Sequence, residues 1–222
     1  MNEIKFKDTL EFDSDGLKLK GELIVPDKAK GIVIFSHGSG SSRFSPRNNY
    51  VAKLLNEKKF ATLLADLLTP EEDLILKNRF DINLLTGRLI QITKNISEME
   101  ITEELNIGYF GASTGAASAL NSAALLGPDY IKAVVSRGGR PDLSMPVLNK
   151  VKSPVLLIVG GLDTEVIELN RQAFIRLDTV KKMEIVPGSS HLFEEPGKLE
   201  IVAKLAIGWY SKYLTIGKEI LK

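Results

Sequence analysis

A serine between two glycines, an aspartate just past an apolar run and one of only two histidines are the residues of this chain whose types and order could do chemistry together. The serine lies in Leu105 to Ala119, LNIGYFGASTGAASA, as Gly111-Ala112-Ser113-Thr114-Gly115. Such a pattern suits a very sharp turn from strand to helix, where the central residue is strained and side chains two positions away would collide with their neighbours. Glycine at both flanks removes the collision and lifts the Ser113 hydroxyl clear of the sheet. The same pattern arises by chance in Gly-rich loops, so the setting carries the argument. Leu105 to Phe110 reads as a buried strand, and Ala116 to Leu126 reads as a helix whose small face can press on a sheet.

A serine hydroxyl is a poor nucleophile until a base takes its proton and a third group orients that base. In open α/β sheets ligands sit beyond the carboxyl ends of the strands, so catalytic groups belong in the loops after strands. His37, after GIVIFS, and His191, after KMEIV in PGSSHLFEEPG, both meet that condition. Chain order separates them, because a nucleophile elbow expects serine, then acid, then histidine. Asp163, closing PVLLIVGGLD, and then His191 follow Ser113 in that order, each in a strand-end loop. Ser113 is thus the expected nucleophile, His191 its base and Asp163 the orienting acid. Asp163 could instead be a turn residue or the N-cap of a helix beginning TEVIELN, and Asp142, Glu165 and Glu194 are rival acids. The freedom of Gly160 and Gly161 and the clearly buried strand before them favour Asp163.

His37 opens HGSG, a turn after the first central strand where a backbone N–H must point at the oxygen that becomes negative in acyl transfer. The expected oxyanion hole consists of the N–H groups of Ser39 and Thr114, with His37 in a structural role; a merely flexible Gly/Ser connection is the alternative. Arg43 and Arg47 in SSRFSPRN, and Arg137 and Arg140 in SRGGR, also fall in strand-end loops. Converging guanidinium groups could hold a carboxylate or phosphate by paired hydrogen bonds, which makes Arg43, Arg47 and Arg140 candidate substrate-binding residues. The alternative, and the favoured one, is that they brace loops against carboxylates such as Asp142, Glu194 and Glu195. Phe44, Leu143, Met145 and Phe193 could line an acyl pocket or anchor loops in the core, the commoner fate of such residues.

The elements needed to hold these groups are legible along the chain. Residues 4 to 12 and 17 to 25 read as an antiparallel hairpin joined through DSDG. Apolar strands GIVIFS, FATLLAD, 105 to 110, IKAVVS, PVLLIVG and KMEIV then alternate with helices over 45 to 57, 80 to 95, 114 to 126, 166 to 177 and 197 to about 214. TPEED reads as a polar connection, and Arg137 to Ser153 as an irregular segment over the surface beside the site. Strands alternating with amphipathic helices imply a mainly parallel, doubly wound sheet covered on both faces. With 222 residues, one domain over 1–222 with little room for a lid is expected.

Composition narrows the function. Twenty-nine basic against twenty-eight acidic residues leave a net charge of +1, with no electrostatic footprint for nucleic acid or an anionic membrane. The absence of cysteine removes disulfides, thiolate metal sites and a cysteine nucleophile. Two histidines argue against a histidine-based metal cluster, so neither metal nor cofactor is expected. No stretch approaches the roughly 18 apolar residues of a membrane span, and MNEIKFKDTLEF lacks the apolar segment of a signal peptide, so a soluble, cytoplasmic protein is expected. HGSGSS has neither Gly-x-Gly-x-x-Gly spacing nor a phosphate-loop lysine, against a nucleotide-binding role.

SHGSGSSRFSPRN, GYFGASTGAA, SRGGRPD, LLIVGGLD and PGSSHLFEEPG together resemble the α/β-hydrolase superfamily, in particular its small dienelactone-hydrolase-like branch, over nearly the whole chain. The family is known for a cysteine nucleophile where this chain has Ser113. The resemblance implies an α/β-hydrolase fold and cleavage of small soluble carboxylic esters through an acyl-enzyme. Thioesters and lactones are open to the same chemistry, and a non-catalytic binding protein on this fold is the alternative of another class.

Overall fold

The computed structural model describes residues 3–14 and 16–215. All eight strands join one sheet in the order β1-β2-β4-β3-β5-β6-β7-β8. β1 (Ile4–Ser14) and β2 (Leu17–Pro26) form the antiparallel hairpin, and β2 lies antiparallel to β4 (Ala61–Ala65). From β4 onward every neighbour is parallel: β3 (Ile32–Ser36), β5 (Ile107–Ala112), β6 (Ile131–Arg137), β7 (Val155–Gly160) and β8 (Lys181–Val186). Of the expected hairpin turn at residues 13 to 16, Asp15 lies outside the described residues; Gly16 adopts φ +78°, which suits a residue without a Cβ.

The central strands are apolar without alternation because both faces are covered, so every residue of β3, β4, β5 and β7 is buried. Successive side chains still take opposite sides. Ile32 and Ile34 meet the layer built from α4 (Ile82–Ser97), α5 (Gly115–Leu126) and α6 (Thr164–Arg176), whereas Val33 and Phe35 meet α1 (Pro46–Glu57) and α7 (Lys198–Tyr213). Alanines 116, 119 and 123, all fully buried, let α5 pack close over the centre of the sheet. This is the arrangement expected of the alternating pattern, with helix and strand ends shifted by one or two residues.

Two segments depart from expectation. TPEED is not an unstructured connection: Thr69 and Glu72 form a reciprocal capping box that starts the one-turn helix α2 (Pro70–Asp73), and a second turn, α3 (Leu76–Arg79), precedes α4. Arg137 to Ser153 does not simply run over the surface. Pro141, Ser144, Leu148 and Val151 are buried, two short 3-10 turns form there, and the Ser144 hydroxyl donates to the Ala117 carbonyl at 3.0 Å. No helix among the described residues is long and apolar enough to cross a membrane.

His37 ties the loop after β3 to the end of β4. Its Nε2 accepts the Leu67 N–H at 3.2 Å and its Nδ1 lies 3.1 Å from the Gly38 carbonyl, which can only accept. The two contacts together fix the neutral tautomer protonated at Nδ1. Burial pushes the imidazole pKa below its ordinary value of 6.5. The unfolded chain therefore takes up a proton that the folded one resists, and stability falls as pH drops through that region. Urea denaturation of wild type and His37→Gln between about pH 7.5 and about pH 5.5 should show a smaller acid-side loss in the variant.

Candidate active site

Between β5 and α5 the chain has only Ser113 and Thr114 in which to reverse direction. Ser113 takes φ +51°, a left-handed conformation that a side chain enters only under constraint. The constraint is visible on both sides. A Cβ on Gly111 would stand 2.5 Å from Ala116 Cα, and one on Gly115 would run into the Ser36 and His37 carbonyl oxygens. Three backbone hydrogen bonds hold the strained residue: Ser113 N–H donates to Arg137 O at 3.2 Å, and its carbonyl accepts from Ala116 N–H at 3.1 Å and Arg140 N–H at 3.0 Å.

Asp163 and His191 come from the loops after β7 and β8. His191 Nδ1 lies 2.6 Å from Asp163 Oδ2, and Nε2 lies 3.3 Å from Ser113 Oγ. A carboxylate can only accept, so the proton sits on Nδ1 and the Nε2 lone pair faces the serine hydroxyl. Asp163 does occupy the N-cap position of α6, but its side chain bonds to no helix N–H. The rival acids are placed elsewhere: Asp142 receives Arg140 at 2.9 and 2.8 Å, Glu194 receives Arg47 at 2.6 Å, and Glu165 is exposed on the first turn of α6.

The His191 turn is clipped from several directions. Ser190 N–H donates to Glu195 Oε1 at 2.9 Å, and hydrogen bonding from Ser190 holds that carboxyl below the usual glutamate range. Leu162 N–H reaches Ser189 O at 2.9 Å, bringing the Asp163 loop against it. Gly138, at φ +51°, lies against His191: a Cβ there would be 3.0 Å from the His191 carbonyl oxygen and 3.5 Å from the imidazole.

The other candidates are placed less simply. Ser39 N–H does not stand open; it donates to Thr114 Oγ1 at 2.9 Å. Arg43 turns its backbone N–H (2.7 Å) and its guanidinium to the Asp66 carboxylate, Arg47 pairs with Glu194 and Arg140 with Asp142. All three arginines thus face carboxylates of the chain, as the bracing alternative expects. Phe193 is 1% exposed and belongs to the core under the α1–α7 face, so it anchors its loop and does not line an open pocket. Met145 lines a separate groove with Pro146 and Ile175. Phe44 is exposed and carries the Arg43 guanidinium 4.0 Å from its ring centroid.

Two residues play parts that the sequence reading missed. Asp66 was visible only as the acid ending a strand; its pairing with Arg43 follows from β3 and β4 being neighbours, which no local signal reveals. Arg137 is buried with Nη2 3.3 Å from Asn48 Oδ1 and its guanidinium 5.9 Å from the Phe193 ring. Burial, and then the Arg47 charge, lower its pKa to about 10.

No family model matches the chain. A dienelactone hydrolase crystal structure from Anabaena variabilis is 51% identical to it, covering 94% of this chain and 98% of that one with a TM-score of 0.91. Est1E from Butyrivibrio proteoclasticus (18% identity, 92% and 98% coverage, TM-score 0.79) shares the fold. So does a dienelactone hydrolase-like promiscuous phosphotriesterase from metagenomic libraries (14% identity, 94% and 98% coverage, TM-score 0.77). Relatives in two strains of Mycobacterium tuberculosis, provisionally named phosphoribosyl transferases, are 54% identical over 195 residues, which is 87% of this chain but 44% of their own length. The chain spans less than half of those relatives, so their name describes a length most of which it does not match. Half its residues are shared, end to end, with the Anabaena protein on the same eight-stranded frame, and the chain belongs to the dienelactone hydrolase family of α/β-hydrolases.

Proposed function

We propose that the chain is a serine hydrolase that cleaves small carboxylic esters through an acyl-enzyme. The observation that carries this reading is the imidazole of His191 between Asp163 Oδ2 at 2.6 Å and Ser113 Oγ at 3.3 Å. The second distance is slightly long, as is common before substrate draws such a site together. The hydrolases among the structural relatives add support, the Anabaena dienelactone hydrolase above all.

In this mechanism Ser113 Oγ attacks the ester carbonyl while His191 Nε2 takes its proton. Negative charge grows on the carbonyl oxygen, to be met by the Thr114 and Ser39 N–H groups. Ser39 N–H leaves the neutral Thr114 hydroxyl for a charged acceptor, a stronger hydrogen bond than the one it gives up. The carbon–oxygen bond to the leaving group breaks, and the alcohol takes the proton from His191. Water then attacks the acyl-enzyme with His191 again as base, releasing the acid and restoring Ser113. The buried side of Asp163 keeps Nδ1 protonated and stabilises the imidazolium in both halves of the cycle; its side chain is 16% exposed against 35% for His191. Thioesters and lactones present the same carbonyl and are open to the same steps.

Ser113→Ala should turn over p-nitrophenyl acetate at least about 10³-fold more slowly than wild type and lose all labelling by a fluorophosphonate probe. Equal turnover by the two proteins would defeat the reading. Asp163→Asn should keep its KM while kcat falls by about 10²- to 10⁴-fold, because the imidazole is then free to hold the wrong tautomer. Stopped-flow or plate kinetics on the purified variants measure both.

A further inference from the structure

We propose that the cavity between residues 37–44 and 66–73 is the specificity pocket of this site, that it takes an uncharged, compact apolar group, and that the Arg43–Asp66 pair is what turns charged substrates away. The proposal rests on the serine-hydrolase reading and adds to it the class of ester.

The cavity has a volume of about 290 Å³ and a wall that includes His37, Arg43, Phe44, Asp66, Leu68 and Asp73. Its loop is the one that borders the nucleophile: a Cβ on Gly38 would lie 3.0 Å from Ser113 Cβ, and Ser39 N–H is bonded to Thr114. Five residues further on the same loop supplies Arg43 and Phe44. The cavity thus adjoins the loop that touches Ser113, although Ser113 and His191 are not themselves part of its wall.

Every charge in that wall is either opposed by a countercharge of the chain or absent, although the buried Arg43 Nε donor has no hydrogen-bond partner. The Arg43 guanidinium and backbone N–H both engage Asp66, whose side chain is only 13% exposed. Asp73 pairs with Arg79 at 2.9 Å. His37 is neutral, with one ring nitrogen given to Gly38 and the other to Leu67. A carboxylate entering the pocket must compete with Asp66 for Arg43 while facing Asp66 and Asp73 at short range; an ammonium meets Arg43 and Arg79 in the same way. Either charge also loses its water. An uncharged group incurs neither penalty, and Leu68 together with the exposed, partly guanidinium-covered ring of Phe44 offers it apolar surface. The volume lies at the small end for ligand cavities, which suits one ring or a short branched chain.

Three p-nitrophenyl esters of matched size, uncharged, carboxylate-bearing and ammonium-bearing, test the idea. Wild type should favour the uncharged ester by about tenfold or more in kcat/KM over both others, and Asp66→Asn should shift the charged pair in favour of the carboxylate ester. Asn keeps an oxygen for the Arg43 N–H while freeing the guanidinium, so the carboxylate ester should gain about tenfold relative to the uncharged one and the ammonium ester should lose. Arg43→Gln should shift the preference the other way. Turnover of the uncharged ester reports that each variant is folded. A wild-type preference for a charged ester, or variants that change all three esters alike, would overturn the proposal. Loss of all turnover and of fluorophosphonate labelling in wild type would instead sink the hydrolase reading. Calorimetric binding of matched uncharged and carboxylate-bearing amides to Ser113→Ala then decides the pocket alone: tighter binding of the uncharged amide supports it and the reverse order refutes it.

Discussion

Where β5 meets α5 the backbone has space for hydrogen atoms and nothing larger. Gly115 lies against the carbonyls of Ser36 and His37, and Gly111 against the Cα of Ala116. Those contacts bring three parts of the site to one point: the end of β3 with its HGSG loop, the turn bearing Ser113, and the first turn of α5. Without that approach Ser113 would have no reason to hold φ +51°, and Thr114 would not be within 2.9 Å of the Ser39 N–H. The strain at one residue is thus set by packing across two strands, and three backbone hydrogen bonds to Ser113 keep it from relaxing.

Around this rigid centre the strand-end loops are fastened by charge. Arg43 with Asp66, Arg47 with Glu194 and Arg140 with Asp142 each join a loop to a neighbour or to itself. Their worth differs with exposure. Arg43–Asp66 is mostly buried and sits beside the cavity, so it shapes both the loop and the local field, whereas Arg47–Glu194, with Glu194 59% exposed, is the kind of pair that contributes little to stability. Arg137 follows another pattern: a buried cation resting on Asn48 and Phe193, among the described residues without a carboxylate partner. Its guanidinium lies over the ring of Phe193, two positions beyond His191.

Legibility in the sequence followed the range of the interactions. Strands and helices came through because their periodicity is local, and the glycines flanking Ser113 because the steric demand of the turn is local too. The order of Ser113, Asp163 and His191 placed the three in loops at strand ends, and the fold brings those loops, after β5, β7 and β8, together. What did not come through depends on which strands are neighbours: the partner of Arg43, the burial of Phe193, and the 3-10 turns of residues 141 to 150 packed on α5. The one-turn helix α2 was missed although Thr69 and Glu72 stand at capping-box spacing, because a four-residue helix leaves no periodic trace.

Asp163 illustrates a conflict between local and global demands. It stands where a helix ordinarily receives its capping oxygen, yet its carboxylate turns away to the imidazole and accepts from none of the opening N–H groups of α6. A capping side chain at such a place is ordinarily worth about 1 kcal/mol. The helix therefore begins less firmly than its sequence would permit. Fraying at the start of α6 would loosen the same residue that holds the His191 imidazole, so the helix terminus and that ring share one reserve of order.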